Sequence, residues 1–179
     1  MPRDDYLRRS PIRFDEDNYQ ICYEYWQRLK GARRSPAWRE WDWLELPVRL
    51  IPYFLVVDVR YDPLDFVYRF WGTASVDMHG KDFTGLSISE IRSPQTAKLT
   101  EAQYAEVVEH HEALGSEYTV KAGENGLAYV QTSLRLPFSD DGENVTQIAT
   151  YVDWSRDRDK IKEEHIREFG PRDWSFDRT

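Results

Sequence analysis

The stretch LIPYFLVVDVRYDPLDFVYRFWGTASVDMHGKDFTG, residues 50–85, decides the fold. From Phe54 to Tyr61 the pattern alternates. Leu55, Val57, Val59 and Tyr61 share one face, while Asp58 and Arg60 share the other, as in a half-buried strand. Asp62-Pro-Leu-Asp65 carries turn chemistry and Phe66 to Trp71 returns as a second strand, so the pair reads as an antiparallel hairpin that Gly72 ends. Thr73 to Gly80 then reads as a short helix. Lys81 to Arg92 reads as a loop with a further short helix capped at Ser87 or Ser89.

Upstream, Ile21, Cys22, Tyr25, Trp26 and Leu29 recur at helical spacing between Asn18, a candidate N-cap, and Gly31. This aromatic stripe must either cover the sheet or pair with a second copy of itself. In the second case Ile21, Tyr25, Trp26 and Leu29 form a dimer interface. Ala32 to Trp43, basic and then aromatic, reads as a connector with one or two helical turns, and residues 1–17 as a flexible arm.

Downstream, Pro94 to Leu114 has no internal Pro or Gly. It reads as the longest helix, with Tyr104, Val107, Val108, His111 and Leu114 on one stripe. Three strands follow, at Glu117 to Ala122, Leu127 to Phe138 and Val145 to Trp154, joined by turns at Gly123-Glu-Asn-Gly126 and Ser139-Asp-Asp-Gly142. In the middle strand Val130, Thr132, Leu134 and Leu136 face one way, and Gln131, Ser133 and Arg135 the other. The second face is the wetter, and the helix layer is expected on the first. Residues 155–179 form a charged tail in which Ile161, His165 and Phe169 suggest one amphipathic helix.

Composition narrows the function classes. A chain of 179 residues corresponds to about one domain and can bury a core without metal or disulfide. Its 15% aromatic content, with seven Trp and eleven Tyr, supplies large rings for a core or a contact face. A formal charge of -8 repels phosphate backbones and anionic lipid, so neither nucleic acid nor a membrane is an expected partner. Cys22 stands alone, which excludes an intrachain disulfide and suits the reducing cytosol. With no apolar signal segment and no run approaching a membrane span, a soluble cytoplasmic protein is expected.

At residue level, Tyr25-Trp26, Leu29, Gly31, Pro36, Pro52, Asp58-Val59, Arg69, Gly72-Thr73, Gly80, Asp82 and Thr84-Gly85 together resemble a bacterial PAS-like family. The likeness runs from Asn18 to Trp154 and departs at Trp38-Arg-Glu-Trp-Asp-Trp43, whose aromatics suit a partner contact. It implies an α+β fold: a PAS-like five-stranded antiparallel sheet with helices on one face, plus the N-terminal amphipathic helix and a C-terminal tail helix. The resemblance further implies a non-enzymatic module that binds a small ligand, haem or flavin between the sheet and the long helix, or that only dimerises.

The residues argue against flavin and haem. Flavin photochemistry in this fold needs an Asn-Cys-Arg-type motif at the start of the long helix, and Cys22 lies far upstream. Haem needs an axial histidine on the inward face, and His110 and His111 lie near the helix C-terminus. His111 reads as inward-facing at the core edge, His110 as outward, and His79 as a helix-end histidine. Arg69 suits a salt bridge to Asp58 or a clamp on a ligand carboxylate. Candidate ligand contacts are therefore Arg69, Met78, Tyr104, Val108, His111, Thr132 and Leu134. No metal-ligand spacing, acid–base pair or phosphate loop is present in the sequence, so no catalytic or metal residue is named.

The expected function is a stand-alone sensory or regulatory module acting as a homodimer, with a small ligand or a protein partner. No output domain is expected after the last strand, and a signal is expected to leave through dimer rearrangement or a separate protein. Two alternatives stand beside it. One is a small α+β cone enzyme of isomerase or dehydratase type with His111 as base; the other is a structural dimerisation domain whose core Tyr104, Phe70 and Met78 fill.

Overall fold

The expected hairpin forms in the computed structural model, which describes residues 17–91, 94–121 and 128–153. Strand β1 (Phe54–Arg60) pairs antiparallel with β2 (Asp65–Trp71), with Val59 opposite Phe66 and Val57 opposite Tyr68. The register slips between Val56 and Val57, so Arg69 has no residue opposite it, as in a β-bulge. Before the hairpin comes α1 (Asp17–Lys30) and a connector of three short 3-10 segments, Trp38–Glu40, Trp43–Glu45 and Val48–Tyr53. After it come α2 (Thr73–His79), α3 (Ile88–Ile91), α4 (Pro94–His110), β3 (Leu114–Lys121), β4 (Ala128–Phe138) and β5 (Gln147–Asp153). The five strands form one antiparallel sheet in the order β2-β1-β5-β4-β3.

The α+β architecture is the expected one, with one correction to how its faces are covered. Helices α2, α3 and α4 lie on the inner face over Leu55, Val57, Phe66, Tyr68, Ile148 and Val152. Helix α1 and the connector lie on the outer face over Phe54, Val56, Leu134, Leu136, Ala149 and Tyr151. Both faces are therefore buried, and Phe54 to Val57 is buried throughout rather than half-buried. The aromatic stripe of α1 covers the sheet of its own chain: Tyr25 is 6% exposed and Trp26 3%, and the Trp26 indole Nε1–H donates to the Pro137 carbonyl at 2.8 Å.

The Trp38 to Trp43 run packs the same way. Trp41 meets Tyr25, Phe54 and Phe138 at ring distances of 4.8, 5.8 and 5.3 Å, and Trp43 meets Phe70 at 5.6 Å. These rings fill the outer layer. Cys22, fully buried beneath it, is a structural hydrophobe whose thiol burial pushes up to about 12.

Gly72 is fixed by close approach. A Cβ there would stand 2.3 Å from the Pro52 carbonyl oxygen and 2.5 Å from that of Phe54, both backbone atoms. The same tight contact lets Gly72 N–H donate to Phe54 O at 2.9 Å and start α2. Ser87 opens α3: its backbone N–H donates to Glu90 at 2.7 Å, the half of a capping box that turns the chain into the helix.

Several boundaries differ from expectation. Asn18 lies inside α1, which begins at Asp17. Helix α4 stops at His110, and His111 adopts a left-handed φ of 55° while its N–H donates to Val107 O at 2.9 Å. Glycine usually takes that closing position, which is why the stop is hard to see in the sequence. Leu114, expected on the helix stripe, opens β3. The arm before Asp17, the tail after Asp153 and the Gly123–Gly126 turn lie outside the described residues.

Candidate functional site

The inner face between the sheet and α4 is where the fold gathers polar chemistry inside an apolar layer. Tyr104, on the buried side of α4, is 1% exposed; its ring lies 5.2 Å from that of Phe66 and its hydroxyl meets Thr150 Oγ1 at 3.0 Å. Met78 from α2, 2% exposed, belongs to the same layer, and Val108 packs at its margin. Of the expected ligand contacts, these three are brought to one face.

The other four are not. Leu134 lies in the outer-face core, and Thr132 meets the Tyr19 hydroxyl of α1 at 2.6 Å, so both belong to the outer layer. Arg69 donates from Nε to Asp58 Oδ1 at 2.7 Å, and Gln147 Nε2 donates to the same oxygen at 3.2 Å. This is the structural ion pair considered for Arg69, with its side chain about half exposed. His111 is buried beyond the end of α4, where Ser35 Oγ donates to its carbonyl at 3.5 Å. Burial and the nearby Arg34 charge hold its imidazole below the usual range, with Asp141 opposing them. Its Nδ1 is buried without a hydrogen-bond partner, so no carboxylate bonds it there as an acid–base pair requires. His79 instead donates from Nδ1 to the Ser75 carbonyl at 2.8 Å and packs edge-on against Trp71 at 5.1 Å, the helix-end role expected of it.

The residue that sequence reasoning missed is Arg135. It is 6% exposed on β4, and its guanidinium lies 5.0 Å from the centroid of the Tyr104 ring. Nη1 donates to Ser133 Oγ at 2.7 Å and to Ser116 Oγ at 3.4 Å, while Nε is buried with no partner. No carboxylate among the described residues pairs with it. Guanidinium does not deprotonate in proteins, and an uncompensated buried charge costs several kcal/mol, so a contact with one ring, worth about 0.5–2 kcal/mol, leaves the charge under-compensated. Trp71 Nε1 is a second buried, unpartnered donor on the same face.

The alternation that put Ser133 and Arg135 on one side of β4 was visible in the sequence; which layer would cover that side was not. Residues Leu134 and Leu136 take the aromatic layer of α1 and the connector, which turns Arg135 under α4. Nothing here resembles a metal centre: no group of three or more His, Cys, Asp or Glu is placed to hold an ion among the described residues.

Comparison with known proteins bears on the same span. A family model described as PAS domain matches residues 15–151. A search of curated proteins returns no match. Among solved structures, the PAS domain of a protein from Colwellia psychrerythraea is similar at 12% identity and a TM-score of 0.42, covering 63% of this chain and 96% of that one. An RNA-binding light-oxygen-voltage receptor is similar at 14% identity and a TM-score of 0.40, covering 68% of this chain and 37% of that one.

Proposed function

The chain belongs to the PAS domain family, whose members are in general non-enzymatic sensory and regulatory modules, and we propose that it is a receptor module taking a small ligand between the sheet and α4. One observation carries the reading: under α4, in a layer of aromatic and aliphatic side chains, Arg135 is 6% exposed, its Nε is buried without a partner, and it meets no counter-charge among the described residues. A group kept in that condition is more useful for recognition than for stability, because a ligand that satisfies it gains the whole difference on binding. Helix α4 spans the layer as one rigid element, so occupancy beneath it has a direct mechanical route to the rest of the domain.

Transmission requires a contact with a second copy of the chain or with a separate protein. Tyr25 and Trp26 are buried within the protomer, which leaves the partly exposed Ile21 and Leu29 as the residues of the α1 stripe that could meet a second copy. No helix among the described residues is long and apolar enough to cross a membrane, and a cytoplasmic setting is part of the proposal, in keeping with the single thiol.

A second reading, a structural module with a filled core, draws on the near-complete burial of Tyr104 and Met78. Phe70, the third residue expected to fill that core, belongs to the outer layer beside Trp43. Native mass spectrometry of freshly purified protein separates the two readings. The receptor reading predicts a small-molecule adduct that disappears on denaturation; the bare chain mass in both conditions favours the structural one.

A further inference from the structure

Building on the receptor reading, the geometry points to the ligand's chemical class: an organic monocarboxylate with an apolar body, its carboxylate held by Arg135 beside Ser116 and Ser133. The charge balance argues for a single negative charge. Arg135 is the buried side chain of fixed positive charge among the described residues; His111, also buried, lies beyond the end of α4, where burial and Arg34 disfavour its charged form. A monoanion therefore neutralises the inner face, whereas a phosphate dianion would replace one uncompensated charge by another.

The donor set has the same bias. The orphaned Nε–H lies on the edge of the planar fork that it shares with Nη2, away from the Nη1 that meets the two serines, and that edge matches the two oxygens of a carboxylate. Ser133 and Ser116 face each other across the β3–β4 pairing, so both hydroxyls flank the guanidinium from neighbouring strands. A hydroxyl can turn from accepting the Arg135 proton to donating its own, and so follow a ligand oxygen as it arrives. Around this polar point, apart from Thr150 opposite Arg135 on β5, the layer is apolar: Leu114 lies opposite Arg135 on β3, Val152 opposite Ser133, and Tyr104 covers the guanidinium from α4. A carboxylate carrying a hydrocarbon or aromatic body meets both kinds of surface.

The test is a thermal-unfolding titration of the full chain with benzoate, hexanoate, succinate and inorganic phosphate at ionic strength matched with sodium chloride. Benzoate or hexanoate is expected to raise the midpoint of the wild-type protein saturably, and Arg135→Met to weaken that response at least tenfold. Unliganded Arg135→Met is expected to melt above the unliganded wild type, because the substitution removes an uncompensated buried charge. An arginine that is merely structural gives the opposite: a lower midpoint and an unchanged carboxylate response. Should Arg135→Met fail to fold, the Ser116→Ala/Ser133→Ala pair serves, with a several-fold weaker response expected.

An equal response in these variants, a phosphate or succinate response exceeding both monocarboxylates, or a retained neutral molecule in the native mass overturns the carboxylate assignment and leaves the receptor reading standing. No response to any of the four probes, together with a bare native mass, overturns both.

Discussion

Trp26→Ala tests how α1 is used. The side chain is 3% exposed and its indole donates to the Pro137 carbonyl at 2.8 Å, with Tyr23 stacked at 6.1 Å. Truncating a buried tryptophan costs about 3–5 kcal/mol, and a buried carbonyl that loses its donor adds about 1 kcal/mol. The expected loss is about 4–6 kcal/mol, a large share of the roughly 5–15 kcal/mol that holds a domain together. With a urea dependence of about 1–3 kcal/mol/M, the midpoint should fall by about 1.3 M or more, or the variant should be unfolded in buffer. Trp26→Phe keeps most of the ring and loses the hydrogen bond, so about 1–2 kcal/mol is expected of it. Urea unfolding followed by circular dichroism gives the energies, and light scattering on the folded Trp26→Phe protein gives the mass. A change below about 1 kcal/mol in Trp26→Ala, or a halved mass in Trp26→Phe, would show that the stripe faces another chain and refute the intramolecular packing.

Three further outcomes follow from the packing. Gly72→Ala sets a Cβ against two backbone carbonyls, at 2.3 and 2.5 Å, neither of which can rotate away; it should cost about 1–3 kcal/mol by urea unfolding, and a cost near zero would contradict the close approach. Burial raises the Cys22 thiol to about 12 from its ordinary 9.0. The stability from keeping the thiol neutral in the fold is whole below pH 9 and is lost as pH rises towards 12, at up to about 1.4 kcal/mol per pH unit. Cys22→Ala should flatten that part of the alkaline stability curve. His111 behaves in the opposite sense: its depressed pKa gives stability that is present above the ordinary histidine range and lost as pH falls through the folded value. His111→Asn, which tolerates the left-handed backbone, should remove that acid-side loss, and an unchanged acid limb would count against the burial argument.

Much of the fold was legible because its signals are local. The Phe54–Trp71 hairpin, the short helix after Gly72, the long helix and the last three strands all declare themselves by period or turn chemistry. The Arg69–Asp58 pair was legible too, since adjacent antiparallel strands bring opposite charges together. The division of the sheet into two covered faces was not, because it depends on where α1 and the tryptophan connector dock. That docking is a long-range choice, joining Trp26 to Pro137 and Tyr19 to Thr132 across more than a hundred residues. Once it is made, Thr132 and Leu134 leave the candidate site and Arg135 enters it. Likewise, the end of α4 rests on a left-handed histidine instead of glycine, so the helix stops one residue short of His111, which is buried beyond its end.

The central claim is that the face under α4 receives the ligand while the face under α1 is structural. Hydrogen–deuterium exchange with and without saturating benzoate tests it most directly. The account predicts slower exchange in α4 from Ala97 to Val108 and in β4 from Gln131 to Pro137, with α1 unchanged. Protection confined to α1 and the connector would contradict it.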